Sequence, residues 1–235
     1  MIRSALFHLD GSFTKEISTQ DILSSISKTN EFIWVSLEQS DESEINAFLG
    51  EIFHFHPLAI EDCLSMGYQT PKVDDFADYL FIIAHALRPD SNLDDLETME
   101  LNLFLGKNFL VTCYRDDIMP PIEKVWQRLD LDKRLYLNGP DFLAHAILDA
   151  MVDAYLPMLD QMDDEIGWLE DQVLETPDPK TLQRILNLKH TVIQLRRIIS
   201  PQREVINRLV EMILPRSTST AGFISVIFTI TLSGF

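Results

Sequence analysis

Two adjacent carboxylates, Glu61 and Asp62, are the residues whose type and spacing best suit divalent-cation binding. Hard cations prefer oxygen ligands, and Mg²⁺ usually keeps several waters while it takes only one or two carboxylates. The pair follows a His-Pro step at His56 and Pro57, and a proline there predicts the first turn of a helix. Capping or solvation of a helix end is the plainer interpretation of the two acids, and spacing alone favours it.

A second candidate for metal chemistry lies around the same segment. His54, His56 and Cys63 all have side chains that zinc accepts as ligands. Two histidines on an aromatic-rich stretch are more often structural, and the sequence places no further ligand beside them. We therefore do not predict zinc binding here. The acidic run Asp163–Glu165 lacks EF-hand spacing, so a solvated helix face is its default interpretation.

The acidic balance of the chain restricts its partners. Its 235 residues hold 37 Asp and Glu against 19 Lys and Arg, which gives a net charge of −18. Phosphate binding needs clustered Lys and Arg, so this balance disfavours DNA, RNA and anionic lipid. It suits cations, basic partners or simple solubility.

Motifs that would favour an enzyme do not occur in the sequence. It holds no nucleophile elbow, no Gly-rich phosphate loop and no HExxH. A hydrolase would have to depend on paired carboxylates alone, so we predict neither an enzyme nor an organic cofactor. A soluble helical adaptor that binds a partner through residues 141–214 is the alternative from another class.

The cysteines and the start of the chain indicate a reducing cytosol. Cys63 and Cys113 are the only cysteines, and without CxxC spacing they predict neither a disulfide scaffold nor a zinc ribbon. The first ten residues lack the charged and apolar regions of a signal peptide. We find no run of the roughly 18 apolar residues that a membrane helix needs, so we expect a soluble chain.

Residues 1–135 have the pattern of an α/β domain. Apolar runs rich in β-branched and aromatic residues predict buried strands, and two of them flank a short Gly-containing loop typical of a hairpin. We place strands at 32–37, 79–86, 101–105 and 109–114, and helices at 40–49, 57–66 and 119–133. The interleaved order predicts an α/β (α+β) fold, with a mixed β-sheet flanked by helices.

Residues 136–215 predict a long antiparallel helical hairpin. Between Val152 and Val173, apolar residues alternate at steps of three and four, a heptad seam that indicates packing on a partner helix. Pro157 should kink this first helix, and Pro201 should bend the second. Residues 141–175 hold ten acids and no Lys or Arg, whereas 180–214 hold seven Lys or Arg and two Glu, so the two helices should attract each other.

Nine short strings of residues between Trp34 and Leu209 match the motifs of one known protein family in their order and spacing. The strings are His56–Asp62, Gln69–Asp74, Asp78–Ile82, Leu105–Thr112, Ala146–Asp153, Asp163–Ile166, Leu169–Glu170, Leu195–Arg197 and Pro201–Val205. Together they resemble the CorA family of magnesium and cobalt channels. The resemblance implies a homopentamer with a large cytoplasmic α/β domain at the inner membrane and long helices along a central stalk.

The resemblance also implies a regulatory site between neighbouring subunits. It assigns Asp62 as the main ligand, and Glu61 and Asp149 as second-site or water-mediated ligands, for Mg²⁺ or alternatively Co²⁺. With the cation bound, the facing acids are bridged and the closed state is stabilised; without it they repel and the pore opens. The zinc-transporting branch of the same superfamily is the closest alternative, since ion choice is inferred without the selective pore loop.

The family's membrane part is not found in this sequence. No Gly-Met-Asn occurs, so we expect no conduction by this chain and contact with the membrane only through missing C-terminal helices. Residues 216–235 form an atypical tail that does not resemble the family's stalk, and a base slip after about Arg216 is our hypothesis for it. Without the stalk helix, we expect a monomer or weak dimer.

Overall fold

A mixed β-sheet forms the centre of the molecule, as the sequence predicts. The computed structural model describes residues 1–8, 10–26, 28, 30–175 and 178–213, and within them the sheet has seven strands in the order β2-β1-β3-β7-β6-β5-β4. The strands are β1 (Ile2–His8), β2 (Phe13–Lys15), β3 (Glu31–Glu38), β4 (Lys72–Asp75), β5 (Tyr79–Leu87), β6 (Thr98–Gly106) and β7 (Phe109–Tyr114). Strands β3 and β7 pair in parallel, and the other neighbours pair antiparallel.

Helices lie on both faces of this sheet. They are α1 (Thr19–Ile26), α2 (Glu42–Asn46, continued by a π-helical turn at Ala47–Ile52), α3 (Pro57–Leu64), α4 (Pro120–Arg128), α5 (Pro140–Asp153), α6 (Leu156–Glu175) and α7 (Pro179–Ile213). A 3₁₀ turn at Lys133–Leu135 joins α4 to α5. The predicted strands, the β6–β7 hairpin and the helices near 57–66 and 119–133 are confirmed. Strands β1, β2 and β4 and helix α1 were not predicted.

Alternate residues of each strand point to opposite faces of the sheet, and each face has its own core. On the α3 face, Ile33, Val35 and Phe81 pack against Ala59 and other side chains of α1, α2 and α3. On the α5 face, the strand residues that point to the other side of the sheet pack against α4, α5 and the end of α7. The indoles of Trp34 and Trp126, 4.1 Å apart, stack within that second core.

The hairpin consists of α6 and α7, with a small core of its own. Tyr155, Met158 and Met162 pack there against Leu195 and Ile198. Instead of the kink predicted at Pro157, the helix is interrupted there, since α5 ends at Asp153 and α6 begins at Leu156. Helix α5, by contrast, packs on α4 and on the sheet, so it extends the α/β layer rather than the hairpin.

One segment corrects the expectation that no stretch is apolar enough to cross a membrane. By length and composition, Pro140–Leu174 passes that test. However, 56% of its apolar window is buried inside the fold, as in a core helix of a soluble protein. The tail at 216–235 lies outside the described residues.

Candidate functional site

Helix α3 carries the predicted pair Glu61 and Asp62. The helix begins at Pro57, and its N-cap is His56, whose Nδ1 accepts a hydrogen bond of 3.2 Å from the backbone N–H of Leu58. Ala59, Ile60 and Cys63 turn inward onto the sheet. The helical period therefore leaves Glu61 exposed and Asp62 half-buried at the surface.

The carboxylate of Asp62 already has a cationic partner. Lys72 Nζ lies 2.6 Å from Oδ2 of Asp62 and 2.8 Å from Oδ2 of Asp74. Burial alone would lower the pKa of Lys72, but the hydrogen bonds to both acids outweigh it and raise that pKa. A divalent cation at Asp62 would therefore compete with a charged ammonium group.

Backbone contacts hold the end of α3 in place beneath these side chains. The carboxamide of Gln69 donates a 2.6 Å hydrogen bond to the carbonyl of Asp62, and the hydroxyl of Ser65 donates one of 2.9 Å to the carbonyl of Glu61. Such side-chain donors satisfy carbonyls that the helix end leaves without partners. Glu61 itself lines an open depression of about 650 Å³ between α2 and α3.

Asp149 lies on α5 in a different environment. Its side chain is half-buried, and burial, followed by repulsion from Asp153, raises the pKa of Asp149. Lys124 Nζ lies 2.7 Å from Oδ2 of Asp153, so the lysine neutralises that neighbour directly. A partly desolvated carboxylate beside a second acid is the kind of group that a bound cation would stabilise.

The structure does not bring the three predicted ligands together within one chain. Glu61 and Asp62 lie on the α3 face of the sheet, and Asp149 lies on the α5 face. Across the described ranges, no group of three or more His, Cys, Asp or Glu side chains could hold a metal ion. His54 and His56 likewise serve local contacts: His54 Nδ1 lies 3.1 Å from the carbonyl oxygen of Gly50, and His56 is the helix cap.

The immediate partners of the predicted ligands, Lys72, Asp74 and Asp153, were not predicted from the sequence. Lys72 and Asp74 alternate along β4, which puts them on one side of the strand, and both belong to a string noted for its resemblance. Asp153 is four residues after Asp149, the helical spacing at which two side chains are neighbours. These spacings were visible in the sequence, but which lysine would pair with which acid was not.

Comparisons with known proteins agree with the fold and motifs. The chain is 34% identical over 183 residues to the cobalt/magnesium transport protein CorA of Thermotoga maritima, covering 77% of this chain and 52% of the relative. It is 33% identical over 179 residues to YfjQ of Bacillus subtilis, covering 76% and 54%. The chain thus spans about half the length of these relatives.

Structural similarity covers nearly the whole chain. The soluble domain of CorA from Methanocaldococcus jannaschii matches it with a TM-score of 0.72 and 21% identity, over 98% of this chain and 88% of that one. The family model described as CorA-like Mg²⁺ transporter protein matches residues 29–220. The chain therefore belongs to the CorA-like Mg²⁺ transporter family, whose members are transporters rather than enzymes, and it has the fold of the soluble domain of a CorA protein.

Proposed function

We propose that this chain is the metal-sensing and gating domain of a Mg²⁺ channel that also accepts Co²⁺. In this proposal, Asp62 is the main ligand of a regulatory cation between neighbouring subunits. Glu61 and Asp149 bind the same cation through water or form a second site. The assembled channel is a homopentamer, and the domain lies at the cytoplasmic face of the inner membrane.

The placement of the acids on opposite faces is the observation that carries this proposal. Subunits in a closed ring of five meet through heterologous interfaces, in which one face of a subunit contacts a different face of the next. Asp62 on the α3 face and Asp149 on the α5 face are separated within one chain. A ring of subunits can bring Asp62 of one subunit towards Asp149 of its neighbour, whereas a single chain keeps the two residues apart.

Electrostatics then supplies the gating force. Burial and Asp153 already raise the pKa of Asp149, so an approaching second carboxylate would add repulsion unless a cation lay between them. A divalent ion that binds the closed arrangement more tightly than the open one stabilises it by that difference in affinity. When internal Mg²⁺ falls, the bridged acids separate and the domains move apart.

The contact with Lys72 sets how strongly Asp62 binds such an ion. At 2.6 Å, the ammonium neutralises Asp62 whenever no divalent ion is present. The pair is about one-third exposed on both sides, so it contributes little to stability and can be exchanged for a hydrated cation. Low affinity suits a sensor of an abundant intracellular ion, because the site then empties when the ion becomes scarce.

The direct test is a crystal structure in high Co²⁺, with anomalous scattering recorded at the cobalt edge. We expect a cobalt peak within bonding distance of Asp62, weakened by excess Mg²⁺. The peak should vanish in Asp62→Asn and persist in the matched variant Asp78→Asn, whose exposed acid follows β4. A cobalt peak that survives Asp62→Asn, or no peak near α3, would show that the ligand assignment is wrong.

Gating requires a separate test in a full-length channel that carries this domain. Asp62→Asn and Asp149→Asn should each leave current flowing at internal Mg²⁺ concentrations that close the unmodified channel. Asp163→Asn on the exposed side of α6 provides a control of equal charge change. Unaltered closure by Mg²⁺ after both substitutions would contradict the sensing proposal while leaving family membership intact.

A further inference from the structure

A polar cleft separate from the acids of α3 opens beside the end of that helix. Its volume is about 350 Å³, and it lies between the segment after α3 and strands β5, β6 and β7. We call it the His85 cleft; its lining includes Cys63, Tyr68, His85, Glu100, Asn102 and Arg115. A concave site of this size that presents a few polar atoms is typical of small-molecule binding.

His85 forms the floor of this cleft. Its side chain is 2% exposed, and Nε2 lies 2.7 Å from the carbonyl oxygen of Gln69, so Nε2 carries the proton and donates it. Burial lowers the pKa of His85, which keeps the ring neutral. Nδ1 is then a hydrogen-bond acceptor, and it has no partner among the described residues. The ring of Tyr68 stacks on the imidazole with centroids 4.8 Å apart.

Two further acceptors on β6 are also without donors. Asn102, 4% exposed, lines the cleft and donates from Nδ2 to Oε1 of Glu100 at 3.1 Å, which leaves its own Oδ1 as a buried acceptor. Oε1 of Glu100 also accepts from Gln69 at 3.3 Å. Neither Oδ1 of Asn102 nor Oε2 of Glu100 has a hydrogen-bond donor within the described part of the chain. Leaving such buried groups unpaired costs free energy.

Arg115 lines the same cleft and has N–H donors that lack acceptors among the residues that the structure describes. Its Nη1 donates to the sulfur of Met66 at 3.0 Å, and Nη2 lies 3.9 Å from a carboxylate oxygen of Glu42. Nε and Nη2 are buried and make no hydrogen bond to any described residue. The cleft therefore combines three unpaired acceptors with two unpaired donors that carry positive charge.

A single metal ion does not match this arrangement. A metal needs several ligand atoms converging within its coordination sphere, and the described residues offer no such group of His, Cys, Asp and Glu. In the imidazole of His85, the nitrogen that lies 3.8 Å from the Glu100 carboxylate is Nε2, whereas the nitrogen without a hydrogen-bond partner in the described ranges is Nδ1. A small molecule that extends over several ångströms can reach atoms that a single ion cannot.

We propose that the His85 cleft binds a small zwitterion of the α-amino-acid type. Its protonated amine donates to the Glu100 carboxylate, and its carboxylate accepts from the free N–H groups of Arg115. A cleft of about 350 Å³ is large enough for such a molecule. This site is independent of the cation site proposed above, since it uses none of its acids.

The experiment screens the twenty common L-amino acids for thermal stabilisation of the purified chain in buffer without divalent ions. The best of them is then compared by isothermal titration with its decarboxylated amine and its deaminated acid. We expect the zwitterion to bind at least about tenfold more tightly than either half, because each half leaves one charged partner unsatisfied. Glu100→Gln and Arg115→Met should each weaken binding by about tenfold or more.

Matched variants at exposed positions complete the design. Glu51→Gln and Arg134→Met make the same changes outside the cleft and should leave binding unaltered. Glu100→Gln keeps the shape of the side chain, and near-ultraviolet circular dichroism confirms its fold. The proposal is overturned if no amino acid binds, if either half binds as well as the whole, or if both cleft variants bind normally. Binding of Co²⁺ that is lost in Glu100→Gln would likewise overturn it, in favour of a metal site.

Discussion

Lys72 places its ammonium nitrogen 2.6 Å from Oδ2 of Asp62, the side chain that family resemblance assigns as the main cation ligand. The same nitrogen lies 2.8 Å from Asp74, so one lysine serves two acids on neighbouring elements. Because the ammonium group of Lys72 already neutralises Asp62, a divalent cation that binds there must displace this singly charged group. The affinity of the site for a divalent cation therefore depends on Lys72 as much as on the acids.

Replacing Lys72 with Met should tighten cation binding at Asp62. The substitution keeps most of the apolar stem but removes the competing charge, and with it the contact of Nζ with the Phe81 ring, 5.7 Å from its centroid. Exposed ion pairs are worth about 0.2–1 kcal/mol, so we expect the affinity for Co²⁺ to rise by up to about fivefold. Titration of the visible absorption of Co²⁺ measures it. Lys107→Met, in the β6–β7 turn, is the control, and an equal gain there would indicate a general charge effect.

Asp149 should make the stability of the fold fall as pH rises. Burial and Asp153 raise its pKa in the folded chain, so the folded state binds the proton more tightly than the unfolded state does. By linkage, stability is then lost between the unfolded pKa of 3.8 and the higher folded value. Asp149→Asn removes this loss, so we expect its melting temperature to exceed that of the parent by a few degrees at neutral pH.

The pH dependence separates this effect from a simple packing change. The advantage of Asp149→Asn should shrink as pH is lowered towards 4, because the parent carboxyl then takes up its proton. Asp160→Asn on the exposed surface of α6 should show no such trend. A stability difference that stays constant across this range would mean that ionisation of Asp149 is not its cause.

The sequence predicted those elements correctly whose structure depends on the pattern of their own residues. The hairpin around Gly106 is confirmed, and the helix predicted at 40–49 begins after Asp41, whose carboxylate accepts from the N–H of Glu44 at 2.8 Å. Short polar strands such as β2 and β4 were missed because they have too few apolar residues to show a period. Helix α5 was assigned to the hairpin because its apolar spacing is the same whether it packs on a helix or on a sheet.

Site partners could not be predicted for a related reason. Lys72 meets Asp62 only because β4 lies at the sheet edge next to α3, and that placement depends on the strand order. The separation of Asp62 from Asp149 by the sheet is likewise a property of topology. Family resemblance supplied the identities of the candidate ligands, whereas their relative position required the three-dimensional structure.

Gln202 on α7 should be a strong determinant of stability. Its side chain is 3% exposed, and Oε1 accepts from the backbone N–H of His85 at 3.1 Å while Nε2 donates to the His85 carbonyl at 3.3 Å. Strand β4 ends its pairing at Ile83, so this carboxamide replaces a neighbouring strand beyond that point. We expect Gln202→Leu to cost about 1–3 kcal/mol, because the buried N–H of His85 loses its acceptor.

Urea denaturation followed by circular dichroism measures that cost. Gln183→Leu, an exposed position near the start of the same helix, provides the matched control and should change stability by less than about 0.5 kcal/mol. The carbonyl of His85 keeps a second donor, the hydroxyl of Tyr155 at 2.9 Å, so only the N–H is orphaned. Equal effects of the two substitutions would show that the contact with His85 contributes nothing specific.

Arg184 should hold the two helices of the hairpin together through geometry as well as charge. Its Nε donates to Oε1 of Glu165 at 2.7 Å, a second N–H reaches Oε2, and the guanidinium lies 3.8 Å from the ring centroid of Trp168. A lysine keeps the charge but loses the planar two-point contact and the stacking. We expect Arg184→Lys to destabilise the chain by about 0.5–1 kcal/mol, and Arg184→Met by at least as much. Arg196→Lys, an exposed position on the same helix, is the control in urea denaturation. If Arg184→Lys were as stable as the parent, charge alone would account for the attraction between the acidic and basic helices.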